Sequence, residues 1–372
     1  MKILADAHIP YLKGVAEQFG EVQYLPGNKF DKAAIADKDV LIVRTVTRFD
    51  EAILSGSSVK LICSATIGYD HIDTDYCDAN DIGWRTAPGC NANSVEQYVT
   101  ASLLHLAHKY GFDLQSQTIG VVGVGNVGRK VAAACRKMGM RVLLNDPPRA
   151  EQEGNMEQFV SLETIQQEAN IITFHPPLTR DGAHATYHLA DEQFFDNLAH
   201  QPFIINSSRG AVVSNRALTA AIKQEQVAGA VIDCWENEPD VDRELLQLVD
   251  LGTPHIAGYS ADGKWTGTKM SLENINDYFE LNRERIELND IDAPANAQVI
   301  DLAHIPEEEQ LQHAVWHTYQ PLRDSNLLKV SPEQFYLFRS HYPLRREYHA
   351  YQVVNAAQEV EPTLRQLGFD IK

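Results

Sequence analysis

Residues 119–146 leave little choice of fold. An apolar run, Ile119-Gly120-Val121-Val122, leads into Gly123-Val124-Gly125-Asn126-Val127-Gly128, after which Val127, Val131, Ala134 and Met138 recur at helical spacing. A second apolar run, Val142-Leu143-Leu144, ends at Asp146, 18 residues beyond Gly128. Strand, glycine-rich turn, helix and strand with an acidic end form the fingerprint of a dinucleotide-binding unit. Gly123 is expected to make the tight turn, Gly125 to let a pyrophosphate reach the backbone, and Gly128 to let helix and strand close together. Asn126 and Val127 open the helix, whose N–H groups and dipole favour phosphate. Asp146 suits the adenosine ribose hydroxyls and repels a 2′-phosphate, so the expected cofactor is NAD. Arg149, three residues on, is a nearby cation that a 2′-phosphate would attract.

The same alternation runs through most of the 372 residues. Lys2–Ala5, Val22–Leu25, Val40–Val43, Lys60–Ser64 and Ile82–Thr86 read as strands, the third continuously apolar as in a parallel sheet covered on both faces. Thr118–Val122, Arg141–Asn145, Asn170–Phe174, Phe203–Asn206, Ala228–Ile232 and a short run ending at His255 form a second series. Two α/β units in series are expected, the second a doubly wound Rossmann domain. A helix is predicted from Ser94 to Lys109, with Ser94 as N-cap and Gln97 closing a capping box. Another is predicted from Trp265 to Glu287.

Lys and Arg number 32 against 51 Asp and Glu, a net charge of −19, which argues against a nucleic-acid or anionic-membrane partner. No window approaches the ~20 apolar residues of a membrane span, and the N-terminus lacks a signal-peptide pattern. Five scattered cysteines without C-x-x-C spacing fit reduced thiols in a cytoplasmic protein and no metal site.

Three polar residues stand where strands of the second unit end, the edge at which open α/β sheets bind ligands. They are Arg209 in Asn206-Ser207-Ser208-Arg209-Gly210, Glu238 in Asp233-Cys234-Trp235-Glu236-Asn237-Glu238-Pro239, and His255 in Pro254-His255-Ile256-Ala257-Gly258. Oxidising an alcohol needs a base such as imidazole. A carboxylate beside it fixes the tautomer, and a guanidinium grips an anionic substrate.

With these segments in place, residues 1 to about 285 resemble the D-isomer-specific 2-hydroxyacid dehydrogenases. The resemblance implies Arg209 as carboxylate anchor, Glu238 as partner of the imidazole, and His255 as general acid/base. It also implies Asp233 beside the nicotinamide carboxamide, with Ser207, Ser208 and Gly258 in the cofactor site. Phe174-His175-Pro176-Pro177 resembles a family segment whose third position is often Thr; Pro176 has no hydroxyl to offer there. The fold implied is a Rossmann domain (94–256) with a flavodoxin-like substrate domain (1–93 with 257–287), while residues 291–372 resemble the small α+β C-terminal dimerisation domain found in one branch of that family.

Asp146-Pro147-Pro148-Arg149, Val43-Arg44-Thr45-Val46-Thr47 and His255-Ile256-Ala257-Gly258-Tyr259 resemble the branch of that family acting on a small phosphorylated 2-hydroxy acid. There, positions matching Thr45, Thr66 and Tyr259 touch substrate. For the phosphate, Arg44, Arg48, Lys264, Arg345 and Arg346 are candidate cations, each also readable as a surface charge. The alternatives are a dehydrogenase of the 3-phosphoglycerate or glycerate type, and an NAD-sensing corepressor-like protein.

In the C-terminal region Leu311, Val315, Tyr319 and Leu322 keep helical spacing, and Ser331-Pro332-Glu333-Gln334 reads as a capped helix start. Trp316, Tyr319, Phe335, Tyr336, Phe338, Tyr342, Tyr348 and Tyr351 are more rings than a small module is expected to bury, which suggests a homodimer contact.

Overall fold

A computed structural model describes residues 1–154, 158–283 and 286–372. The chain divides into two compact units, one of residues 1–91 with 260–292, the other of residues 92–259 with 293–372.

The first unit is built on β1 (Lys2–Asp6), β2 (Glu21–Leu25), β3 (Val40–Val43), β4 (Leu61–Ser64) and β5 (Gly83–Arg85). They form an all-parallel sheet in the order β2-β1-β3-β4-β5, a flavodoxin-like winding. The central strands β3 and β4 are buried at every residue because apolar clusters cover both faces. Helix Ala261–Tyr278 packs Leu272 and Ile275 onto one of them. Ser260 caps it by accepting from the Gly263 N–H at 2.8 Å. The helix ends well before the expected Glu287, since Glu280 and Asn282 take positive φ and stop the winding. Glu284 and Arg285, inside that expected helix, lie outside the described residues.

The second unit holds β6 (Thr118–Val122), β7 (Arg141–Asn145), β8 (Ile171–Phe174), β9 (Phe203–Asn206), β10 (Gly229–Ile232) and β11 (Leu251–Gly252). All are parallel, in the order β11-β10-β9-β8-β6-β7. Chain direction across the sheet reverses between β6 and β8, which is where such folds place their ligand. Beyond β7, Val160 N–H donates to Leu144 O at 2.7 Å, all that the described residues show of a further edge strand.

A third parallel sheet joins β12 (Val299–Asp301), β13 (Gln352–Val354) and β14 (Asp370–Ile371). It belongs to the second unit, and Ile300, Val315, Tyr319, Tyr348 and Val353 share one buried cluster with Val99, Leu103 and Val131. Tyr319, Phe335, Tyr348 and Tyr351 are buried within this chain, and among the eight rings only Tyr336 is largely exposed. The aromatic excess is therefore absorbed mostly inside one subunit. The exposed apolar residues of this region include Leu322, Leu327, Val330, Tyr336 and Leu337, grouped along neighbouring helices, and Val299 on β12.

Three local expectations need correction. The helix near Ser94 spans Ala92–Tyr110, so Ser94 and Gln97 lie inside it rather than at a cap. Ser94 Oγ donates to Glu347 Oε1 at 2.9 Å, while Gln97 Nε2 donates to Thr318 Oγ1 and Arg346 O, each at 3.0 Å. The pattern over Leu311–Leu322 is two helices, Glu307–Thr318 and Pro321–Val330, because Pro321 opens a new one. Ser331 makes no side-chain cap; Pro332–Gln334 is a 3₁₀ turn ahead of helix Phe335–Ser340.

Candidate active site

The glycine turn closes as its spacing requires. Gly123 has φ +82°, and a Cβ there would lie 2.4 Å from Pro176 N; at Gly128 one would lie 2.0 Å from Gly123 O. Both glycines are demanded by the fold itself. Gly125 differs, because a Cβ there would meet nothing within 4 Å. Gly125 also precedes helix Asn126–Lys137 without any side-chain cap, so the first N–H groups of that helix are not taken up by a capping side chain. An uncapped N-terminus beside a side-chain-free residue fits a pyrophosphate. Asn126 accepts from Arg129, and Val127 packs into the neighbouring core.

Asp146 ends β7 with a different set of partners. Its carboxylate accepts from Val124 N–H at 2.7 Å and caps the next helix by accepting from Arg149 N–H at 3.1 Å. The acid expected at the ribose thus also ties the glycine turn to the second strand. Arg149 donates to Val124 O and pairs with Glu153, so its guanidinium is already engaged.

His255 sits on the turn after β11 with φ +55°, a left-handed conformation unusual for a side-chain-bearing residue. Its Nδ1 lies 2.8 and 3.1 Å from the two oxygens of Glu238, which makes Nδ1 the protonated nitrogen and leaves Nε2 as the lone-pair side. Glu238 also accepts from Trp235 N–H at 2.9 Å. Burial works to raise the Glu238 carboxyl, but His255 and these hydrogen bonds outweigh it and hold the group ionised. Cys234, Glu238 and His255 bring possible ligand atoms within 4.8 Å of one another. Burial pushes the Cys234 thiol well above its ordinary value.

Arg209 follows β9, with Nη1 donating to Ser208 O at 2.9 Å, and its charge is felt at Cys234. Ser208 is locked by Asn206 Oδ1, and Ser207 Oγ lies 3.5 Å from His175 Nδ1. Burial lowers His175 to about 3, so this ring is neutral; Thr173 Oγ1 lies 2.9 Å from its Nε2.

Asp233 is nearly fully buried, and its carboxylate accepts from Thr253 Oγ1 (2.6 Å), Ile256 N–H (2.8 Å) and Ala257 N–H (2.9 Å). The resemblance implied a place for it beside the nicotinamide carboxamide, and in the structure it also holds the loop that carries His255. Gly258 and Tyr259 complete that loop, and the Tyr259 ring meets Tyr342 edge-on at 6.0 Å. Thr45 and Thr66 belong to the first unit, just past the C-terminal ends of the adjacent strands β3 and β4. Thr45 is exposed, and Thr66 Oγ1 lies 2.8 Å from Ser64 Oγ.

Three of the five phosphate cations expected from sequence already have partners or are buried. Asp6 grips Arg44 through Nε at 2.8 Å, Arg48 pairs with Asp50 at 3.2 Å, and Arg345 is buried. Sequence reasoning overlooked Arg339. Its guanidinium lies 5.8 Å from the Tyr259 ring centroid, and its buried Nε has no partner among the described residues.

Known proteins are similar to this chain in sequence and in fold. Residues 91–257 match the family described as D-isomer specific 2-hydroxyacid dehydrogenase, NAD binding domain, and residues 293–368 match a domain of unknown function, DUF3410. A formate dehydrogenase from Staphylococcus aureus in complex with NAD superposes with a TM-score of 0.63 at 21% identity, covering 79% of this chain and 100% of that one. A D-lactate dehydrogenase from Aquifex aeolicus, complexed with NAD and lactic acid, gives 0.61 at 21% identity, covering 76% and 96%. Fold and site together define an NAD-dependent dehydrogenase of the D-2-hydroxyacid class.

Within that class, the erythronate-4-phosphate dehydrogenase of Bacteroides thetaiotaomicron is 48% identical over 95% of this chain and 99% of its own length. The Porphyromonas gingivalis enzyme of that name is 42% identical over 99% and 100%, and that of Escherichia fergusonii 40% over 100% and 98%. The chain belongs to the erythronate-4-phosphate dehydrogenase family.

Proposed function

We propose that this protein oxidises the C2 hydroxyl of 4-phospho-D-erythronate to the 2-oxo acid with NAD, a cytoplasmic step toward vitamin B6. The observation that carries the chemistry is the His255–Glu238 pair, with Nδ1 committed to the carboxylate and Nε2 left to take a proton. Gly123, Gly125, Gly128 and Asp146 would hold NAD, with Pro176, Ser207 and Ser208 beside it. When bound, NAD supplies the acceptor for the hydride leaving C2.

The protein's own part is to bind, orient and deprotonate. Arg209 grips the substrate carboxylate and steadies the charge that develops on the C2 oxygen. His255 removes the hydroxyl proton through Nε2, and Glu238 stabilises the imidazolium formed. Thr45, Thr66 and Tyr259 contribute hydroxyls to the substrate. Arg339, whose buried Nε has no partner among the described residues and whose charge is felt at Glu238, is the cation assigned to the phosphate.

A panel of 2-hydroxy acids with and without a terminal phosphate, followed by NADH absorbance, tests this. 4-Phospho-D-erythronate should give the highest kcat/KM, and equal turnover of erythronate, glycerate or 3-phosphoglycerate overturns the assignment. Arg339→Gln should raise KM for the phosphorylated acid by about 10–100-fold, the worth of a charged hydrogen bond, leaving values for erythronate unchanged.

The subunits are inferred to pair as a two-fold homodimer through helices Pro321–Val330 and Phe335–Ser340. Val330 is 82% exposed and Leu327 48%, beside a hollow lined by Leu322, Asn326 and Phe338. Leu327→Glu with Val330→Glu should sediment as a monomer that still binds NAD. A double variant that stays dimeric places the contact elsewhere.

A further inference from the structure

Arg345 is 8% exposed, although its position in an Arg-Arg pair reads as surface charge. All five of its N–H donors are used, and among the described residues no carboxylate takes any of them. Nε donates to Gln97 Oε1 at 2.9 Å, and Nη2 donates to Ser94 O at 3.0 Å and to Ala257 O. Nη1 donates to Ile256 O at 3.2 Å and Tyr259 O at 3.1 Å. The guanidinium also stacks on the Tyr319 ring, 4.2 Å from its centroid. Three of the five donors therefore end on the loop that begins at His255.

The opposite side of that loop is held by an anion. The peptide group joining Ile256 to Ala257 accepts from Arg345 through its carbonyl and donates to Asp233 through its N–H. Its dipole thus lies between a buried cation and a buried carboxylate, in the favourable sense at both ends. Burying either charge is costly unless its hydrogen bonds are complete, and here they are complete only while the loop keeps this conformation. His255 stands at the start of the held segment with φ +55°, the kind of strain that survives only where its surroundings overdetermine it.

We propose that Arg345 is a positioning residue for catalysis, through which the C-terminal segment of the chain sets the His255 loop from behind while Asp233 sets it from the front. The proposal rests on the reading of His255 as the proton acceptor. It gives residues 293–372 a part in the chemistry of their own subunit besides any part in association. Arg345 is placed here as a clamp and not as a phosphate ligand, since no donor remains for one.

The test uses the full-length protein carrying Arg345→Lys, which keeps the charge but cannot span the three carbonyls, and Arg345→Met as the more severe change. Kinetics with 4-phospho-D-erythronate, fluorescence titration of NADH and hydrogen exchange of peptides covering residues 253–259 are measured together. Arg345→Lys should lower kcat by about 10–100-fold, as expected for small misplacements of a reacting group. The NADH dissociation constant should stay within about twofold, as the cofactor loop is untouched, while exchange in 253–259 accelerates. In a His255→Ala background, Arg345→Lys should lower the residual rate no further, since it acts through the imidazole.

Unchanged kcat and exchange, a loss of cofactor binding in step with kcat, or additive losses in the double variant would each overturn the proposal. If Arg345→Met does not fold, Arg345→Lys still decides between these outcomes. Should the wild-type protein leave 4-phospho-D-erythronate unoxidised, the substrate assignment falls, while the exchange measurement still reports on the clamp.

Discussion

His255→Ala is expected to lower kcat by roughly 10²–10⁴, the usual worth of a positioned general base, while NAD affinity stays near that of the wild type. The separation follows from geometry. The imidazole faces Glu238 on one side, whereas the elements that suit NAD are the glycine turn, the start of helix Asn126–Lys137 and Asp146. The backbone of residue 255 needs no imidazole to hold its place, because its N–H donates to Asp233 O at 2.9 Å. The measurement is kcat with saturating NAD and 4-phospho-D-erythronate, together with an NADH titration. A variant that retained more than a tenth of wild-type kcat would remove His255 from the role of base. One that lost NADH binding as well would show that the ring supports the cofactor site instead.

The second large effect is on stability and lies away from the chemistry. Glu96, on helix Ala92–Tyr110, is 8% exposed and accepts from Thr100 Oγ1 at 2.9 Å. Burial, and to a lesser degree the charge of Glu347, push its carboxyl from 4.5 up to about 8 against the Thr100 hydrogen bond. The folded protein therefore keeps a proton that the unfolded chain releases above pH 4.5. Folding then takes up a proton between these two values, so stability is full below pH 4.5, falls as pH rises toward 8, and levels off above. The drop amounts to about 5 kcal/mol over the whole interval, and about 3 kcal/mol by pH 7. Glu96→Gln imitates the protonated form and removes this dependence. Its midpoint in urea should exceed that of the wild type at pH 7 and more so at pH 8, with the curves converging near pH 4.5. Parallel curves across that range would show that Glu96 is ionised in the native protein.

Local chemistry accounts for what was readable without coordinates. A tight turn at Gly123 and close contact at Gly128 are demands of backbone geometry within a few residues, so the glycines disclose them. Parallel strands buried on both faces declare themselves as unbroken apolar runs, as Val40–Val43 does. His255 and Glu238 were legible because their motifs end strands of one sheet, and that sheet edge is where such folds bind ligands.

The tertiary structure decided what depends on partners far away in the chain. Ser94 and Gln97 form a plausible capping box by spacing, yet Glu347, Thr318 and Arg346, more than 200 residues later, claim both side chains. By spacing alone the aromatic excess after Leu311 calls for a second subunit, yet helix Ala92–Tyr110 and the C-terminal sheet cover Tyr319, Tyr348 and Tyr351 within the chain. Arg345 shows the limit most clearly. A charged residue beside another charge is usually solvated, and no local pattern marks the one whose five donors will meet the Gln97 side chain and the carbonyls of residues 94, 256, 257 and 259. Spacing along a chain reports how an element presents its faces; which distant groups complete a buried charge is set only when those faces pack.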